Sequence, residues 1–352
     1  MTARQKKRDL YGKFDPVLDA VLKTKLIPTK KNDKLKLVAD QQTSRPADQS
    51  QKSLKLKTFV DLFCGIGGFH VAASSLGLEC VFACDIDSEA RNAYHQNFGL
   101  NPHGDITRIK AEDVPDHDLL CAGFPCQPFS IIGSQKGFSD PRGTLFFEIV
   151  RIIREKKPKA VVLENVRQLA SIEKGKTLQS IKAALEDLGY FVDFRILNAL
   201  NFGVPQKRER VLIVATRDDI GPFPWPEEKV PMKPLSAILE KKPDQKHFVS
   251  GKIKHSRKKA HTPQVSPSIW HENKSGNISS HPYSCALRAG ASYNYLLVDG
   301  ERRLTPREML RLQGFPDTFK IVCNDSQARK QAGNSVPVPM VRAVLERLLN
   351  AY

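Results

Sequence analysis

Thr58-Phe59-Val60-Asp61-Leu62-Phe63-Cys64-Gly65-Ile66-Gly67-Gly68 decides the fold: an apolar, strand-forming run breaks at closely spaced glycines and continues into a helical pattern. Glycine at 65, 67 and 68 permits a tight turn and lets a ligand approach the backbone. The pattern repeats downstream. Residues 58–63 and 80–84 predict strands, and 67–76 and 88–97 predict helices. Further buried strands are expected at 119–122, 160–163 and 211–215, and Leu178, Ile181, Leu185 and Leu188 recur at helical spacing. Such alternation implies the α/β class, a doubly wound and mostly parallel sheet with helices on both faces. Ligands on such sheets sit at the carboxyl ends of the strands.

Composition bounds the partners. The chain has 352 residues and is 40% hydrophobic, enough for a large domain plus a smaller one. Its 55 Lys and Arg against 38 Asp and Glu give a net charge of +17, which favours a polyanion such as nucleic acid, although solvated lysines alone also produce basic chains. Seven cysteines without paired spacing suggest a reducing cytoplasm, and no apolar run approaches the ~20 residues of a membrane span. Residues 1–57 hold 15 Lys and Arg against 6 Asp and no Glu. Asp15-Pro16 starts one short helical stripe there, and the segment reads either as a partly disordered basic arm or as an accessory module that contacts DNA or regulates.

The rim of the expected sheet carries the chemistry. Asp85 ends the second strand and suits ribose hydroxyls, and no Gly-x-x-x-x-Gly-Lys phosphate loop occurs, which fits a cofactor without a phosphate chain. Cys126 lies in Gly-Phe-Pro-Cys-Gln-Pro-Phe-Ser, residues 123–130. A single cysteine is commonly an inert buried thiol; one beside a nucleotide-type turn suggests a thiolate nucleophile. Glu164-Asn165-Val166, Gln206-Lys207-Arg208-Glu209-Arg210 and Gln331-Ala332-Gly333-Asn334-Ser335-Val336 complete an ordered set.

That set closely resembles the DNA cytosine-5 methyltransferases of bacterial restriction-modification systems, over residues 58–218 and 301–345. The resemblance implies a Rossmann-like methyltransferase fold that uses S-adenosyl-L-methionine, releases S-adenosyl-L-homocysteine and needs no metal. It assigns the cofactor pocket to Phe63, Gly65, Ile66, Gly67, Gly68, Asp85, Ile86, Asp105, Ile106, Pro125, Leu145, Asn334, Ser335 and Val336. Asp105 is expected at a strand end, and Ile86 stands where relatives often carry an aromatic residue. The resemblance makes Cys126 the nucleophile that adds to cytosine C6, Glu164 the partner of N3 and Arg210 a donor to O2. Arg208 is included with the catalytic residues as a neighbour that orders the loop, and Asn165 shapes the turn at Glu164.

Attack on both faces of C5–C6 requires the base to leave the duplex. Residues 124–145 are expected to form a mobile loop that closes on DNA, with Ser130, Ser134, Gln135, Lys136 and Arg142 reaching backbone phosphate. The segment between Asp218 and Gly300 holds 12 Lys and Arg, 8 acids and five of the nine histidines. It is the expected target-recognition domain (219–300), with residues 301–352 returning to the catalytic domain (58–218). Trp270, Asn273, Lys274 and Arg288 are its candidates for base contact, alongside His271, Asn277, His281 and Asn294. The expected partners are double-stranded DNA and, functionally, a restriction endonuclease, with the enzyme a cytoplasmic, nucleoid-associated monomer. Alternatives are a transfer-RNA cytosine-5 methyltransferase and a non-catalytic DNA-binding regulator on the same fold.

Overall fold

A computed structural model describes residues 55–125 and 145–352. In chain order the first elements are β1 (Thr58–Leu62), α1 (Gly68–Ser74), β2 (Glu79–Cys84), α2 (Ser88–Phe98) and β3 (Leu119–Gly123). They are followed by α3 (Leu145–Lys156), β4 (Ala160–Val166), α4 (Lys176–Glu186), β5 (Phe191–Asn198), β6 (Gln206–Lys207) and β7 (Glu209–Thr216). Six strands form one sheet in the order β2-β1-β3-β4-β7-β5. Pairing is parallel from β2 through β4, while β7 is antiparallel to both β4 and β5. The sheet is thus mostly parallel, with residues 211–215 in its reversed strand.

Side-chain alternation on the central strands builds two cores. Phe59, Leu119, Cys121, Ala160 and Val162 face one side, where they join Ala72 and Ala73 of α1. Val60, Leu62, Leu120, Ala122, Val161 and Leu163 face the other, against Ile149, Ile152 and Ile153 of α3 and Leu178, Ile181 and Leu185 of α4. Burial on both faces explains why these strands read as unbroken apolar runs.

The remaining elements are α5 (Gly251–Ala260), β8 (Ile269–Glu272), β9 (Ile278–His281), β10 (Ser284–Cys285), β11 (Leu296–Val298), α6 (Pro306–Leu312), α7 (Asp325–Asn334) and α8 (Val338–Ala351). β11, β8 and β9 form a small antiparallel sheet, and β10 runs beside β6. Ile269, Tyr295, Leu296 and Val298 share a core cluster with Phe59 and Leu212, so apolar packing continues from the large sheet into the small one. Thr305 and Glu308 close a capping box at the start of α6, as Leu-Thr-Pro-Arg-Glu at 304–308 suggests. α8 returns to pack through Val341, Val344, Leu345 and Leu348 in the core that contains Phe59.

Asp61 is the exception inside this core. It is fully buried on β1, and among the described residues no donor reaches either carboxylate oxygen with hydrogen-bond geometry. Burial, and secondarily the charge of Asp85, push its carboxyl well above the ordinary aspartate value; the His70 backbone N–H acts more weakly in the opposite direction. The folded protein therefore keeps a proton that the unfolded chain has already lost at about pH 4. Stability conferred by that proton falls as pH rises from there toward the folded value. Asp61→Asn should remove this slope, so that the variant's urea midpoint gains on the wild type between pH 5 and pH 8. A constant offset would show that the folded carboxyl is already ionised at pH 5.

Candidate active site

The carboxyl ends of β1, β2, β3 and β4 open onto a cavity of about 520 Å³. Phe63, Gly65, Ile66, Asp85, Ile86, Asp105 and Ile106 line one end, and Glu164, Asn165, Arg208 and Arg210 line the other. Pro125, Leu145 and Asn334 complete the wall. Cys126, Ser130, Ser134, Gln135, Lys136 and Arg142 lie outside the described residues, as does most of the expected closing loop.

At the first end, backbone donors clamp a carboxylate. Gly65 N–H and Asp87 N–H donate to the two oxygens of Asp85, each at 2.8 Å. Burial nevertheless raises the Asp85 carboxyl above its ordinary value, because desolvation exceeds the help of these donors. Gly65 needs its left-handed φ of 53° to present that N–H, and Phe63, a non-glycine, is held at φ 55° beside it. Arg91, which sequence reasoning missed, donates to the Asp85 and Ile86 carbonyls at 2.8 and 3.0 Å. Ile86 is 76% exposed and leaves an apolar surface open at the cavity.

Several expected positions fall elsewhere. Asp105 is not at a strand end: it caps the short 3-10 turn Ile106–Arg108, accepting from Thr107 N–H and Oγ1. Those bonds hold its carboxyl below the ordinary value. Gly67 and Gly68 do not line the cavity. A side chain at Gly67 would collide with Phe98, and one at Gly68 with Val336 and Ser335, so these glycines let α1 pack closely. Ser335 and Val336 are the other half of that contact and stand behind the pocket wall.

The second end holds an ion pair. β4 carries Glu164 opposite Gly123 of β3 and Leu212 of β7. Arg210 Nε approaches Glu164 Oε1 to 2.7 Å, both side chains being nearly buried. The approach is off the hydrogen-bond direction, leaving Oε1 without a well-aligned donor. Asn165 donates to the Phe124 carbonyl at 3.0 Å and accepts from Val166 N–H, which ties the strand end to the segment leading to Pro125. The pair can accept from or donate to a flat polar ring entering the cavity.

Arg208 differs from Arg210 although only one residue separates them. Its guanidinium donates to the carbonyls of Leu287 (2.9 Å), Gly333 (3.1 Å) and Ser335 (2.7 Å), contacts suited to a neighbour that orders the adjoining segments. It acts as a tie between distant segments. Lys330, not singled out in the sequence, and Gln331 also line the cavity, and both reach α2 or its cap: Lys330 pairs with Asp87 at 2.7 Å and Gln331 donates to the Glu89 carbonyl.

In the small sheet, Trp270 is 1% exposed and donates its indole N–H to Ser268, so it builds the core and cannot reach a base edge. Asn273 folds the β8–β9 turn by accepting from Ser275 and Asn277 N–H, while Lys274 is exposed at its tip. Asn294 accepts from Arg303 and, through its carbonyl, from Arg257, a structural use as well. Arg288 is exposed. Among the described residues no helix is long and apolar enough to cross a membrane, and no cluster of His, Cys, Asp or Glu is arranged to hold a metal.

The fold agrees with comparisons to known proteins. A solved methyltransferase of Entamoeba histolytica, EhMeth, superposes with a TM-score of 0.66 over 84% of this chain and 98% of that one, at 18% identity, a likeness of fold. The chain is 53% identical over 290 residues to the Type II methyltransferase M.NgoBI of Neisseria gonorrhoeae, covering 81% of this chain and 90% of that protein. It is 51% identical to M.HaeII of Haemophilus aegyptius over 83% of this chain and 92% of that one. The family model for C-5 cytosine-specific DNA methylase matches residues 57–350, a span that includes both ends of the cavity, and the chain belongs to that family.

Proposed function

We propose that this protein transfers a methyl group from S-adenosyl-L-methionine to C5 of a cytosine flipped out of duplex DNA at a short specific sequence. The observation that carries the reading is the continuity of one cavity from the Gly65–Asp85 clamp to the Glu164–Arg210 pair, with Pro125, the residue before Cys126, in its wall. Asp85 would hold the ribose hydroxyls, Phe63 and Ile86 would pack on adenine, and Asn334 would face the methionine end. When bound, the cofactor supplies an electrophilic methyl group.

Cys126 forms its bond to C6, and the electron pair displaced from the C5–C6 bond moves into the ring. Glu164 donates to N3 and accepts from the exocyclic amine; Arg210 donates to O2. C5 takes the methyl group, loses its proton to water, and the returning electrons expel the thiolate. Flipping costs a few kcal/mol, which contacts from the recognition segment 219–300 would offset.

The names of the relatives support pairing with a restriction endonuclease in a bacterial cytoplasm, and one asymmetric cleft per chain suits a monomer. Incubation of the purified protein with labelled S-adenosyl-L-methionine and either duplex DNA or transfer RNA tests the reaction, and mapping 5-methylcytosine on a plasmid from expressing cells identifies the site. Label in RNA alone, or none in either, would overturn the reading. Asp85→Asn should weaken cofactor binding about 10–100-fold, the loss of one charge-assisted contact, with the rate at saturating cofactor little changed. Calorimetric titration with S-adenosyl-L-homocysteine measures it.

A further inference from the structure

Four arginines belong to the segment between Asp218 and Arg303, and three of them are committed to the fold. Arg257 is buried and paired with Glu272. Arg302 makes a buried bidentate pair with Glu308, both contacts at 2.8 Å. Arg303 donates to Asn294 Oδ1 and the Lys246 carbonyl while lying over Tyr293. Arg288 is the exception: it is exposed, and among the described residues no acceptor receives a hydrogen bond from its guanidinium.

Its geometry is nevertheless held. The guanidinium lies over the ring of Tyr295, 4.8 Å from the centroid, and Tyr295 is itself 5% exposed. The Tyr295 hydroxyl accepts from Arg288 N–H at 3.0 Å, so one buried residue fixes both ends of the arginine. The preceding residue is anchored as well, since Gln206 Oε1 accepts from Leu287 N–H and Arg208 donates to the Leu287 carbonyl. A side chain at Gly333 would collide with the Arg288–Ala289 backbone, and Gly333 lines the active-site cavity. Arg288 is therefore a backbone neighbour of the cavity wall at Gly333, with a planar five-donor fork and, among the described residues, no acceptor.

We infer that Arg288 is a specificity-determining residue that reads N7 and O6 of a guanine beside the target cytosine in the major groove. The inference rests on the proposed methylation of duplex DNA and adds a residue and a base to it. A guanidinium held flat by a fixed ring matches the paired acceptors of guanine, the commonest specific arginine contact, at little cost in lost side-chain freedom. A phosphate needs no such fixed plane, and the exposed Lys207 nearby suits that role. An arginine side chain spans on the order of two base-pair steps of ~3.4 Å, which limits the guanine to the immediate neighbourhood of the flipped base.

The test uses the full-length enzyme and duplexes of its mapped recognition sequence, each with 7-deazaguanine replacing one guanine. At one position the wild type should lose about 5–150-fold in kcat/KM, the range of one bidentate base contact. Arg288→Ala should show a similar loss on unmodified DNA and no further loss on that duplex, with unchanged cofactor affinity and thermal unfolding. Arg288→Lys, which lacks the fork, should not restore discrimination. The inference fails if wild type methylates every substituted duplex at the ordinary rate, or if the mapped sequence has no guanine within two steps. It fails equally if Arg288→Ala weakens specific and random DNA alike and lowers the salt slope by about one, the signature of a phosphate contact. A wild type inactive on all DNA removes the methylation reading itself, whereas these outcomes leave it standing.

Discussion

Glu164→Gln should lower the single-turnover rate of methyl transfer by about 10²–10⁴-fold, the range for losing a positioned proton donor, while cofactor affinity stays within a few-fold of wild type. Glutamine preserves shape and one acceptor but cannot supply a proton to N3. The strand that presents residue 164 is locked on both sides, by Gly123 of β3 and Leu212 of β7, so the amide should occupy the position of the carboxyl. Arg210 should remain nearby, held by its Nη1 bond to the Glu209 carbonyl at 2.8 Å. The defect is therefore expected in chemistry, and a rapid-quench assay at saturating DNA and cofactor isolates it. A near-normal rate would remove Glu164 from the reaction and leave the ion pair with Arg210 a purely structural contact.

The sequence made both ends of this site legible because strands buried on two faces read as continuous apolar runs that stop at the chemistry. Phe59 to Leu62 end at the glycine turn, and Ala160 to Leu163 end at Glu164. Edge strand β5 escaped for the converse reason: Phe191 and Ile196 are exposed on it, and its burial is too uneven to give a run. Helix α3 was legible in principle. Phe146, Ile149, Val150 and Ile153 recur at helical spacing and are buried, but they follow directly on a glycine-rich stretch that suggested a loop.

Side-chain partners were less accessible than elements. Trp270 and Asn294 look like base readers in a polar, loop-rich segment, yet one fills the core of the small sheet and the other accepts from Arg303 and Arg257. Arg91 carries no motif of its own, and its value comes from two carbonyls five and six residues away on the adjoining turn. Spacing along the chain records which face a residue occupies; it does not record which distant carbonyl meets it there.

Arg208 is the clearest instance, and Arg208→Met should lower folding stability by about 2–4 kcal/mol. Arg208 is 2% exposed, and its three acceptors come from 79 to 127 residues further along the chain. The Ser335 carbonyl keeps a second donor, Gln313 Nε2 at 3.2 Å, whereas each buried carbonyl left without one costs about 1–3 kcal/mol, and removing a buried cation offsets part of that loss. Burial first, then the Arg210 charge, lower the Arg208 guanidinium to about 9, so it remains a cation at neutral pH and holds all three carbonyls. Methionine fills comparable space but donates nothing. The Leu287 anchor should loosen together with Gly333 and Ser335, so the unfolding midpoint in urea falls and DNA affinity falls with it. The midpoint, read beside the single-turnover rate, separates a tie from a catalyst: unchanged stability with a hundredfold slower transfer would return Arg208 to the reacting ring.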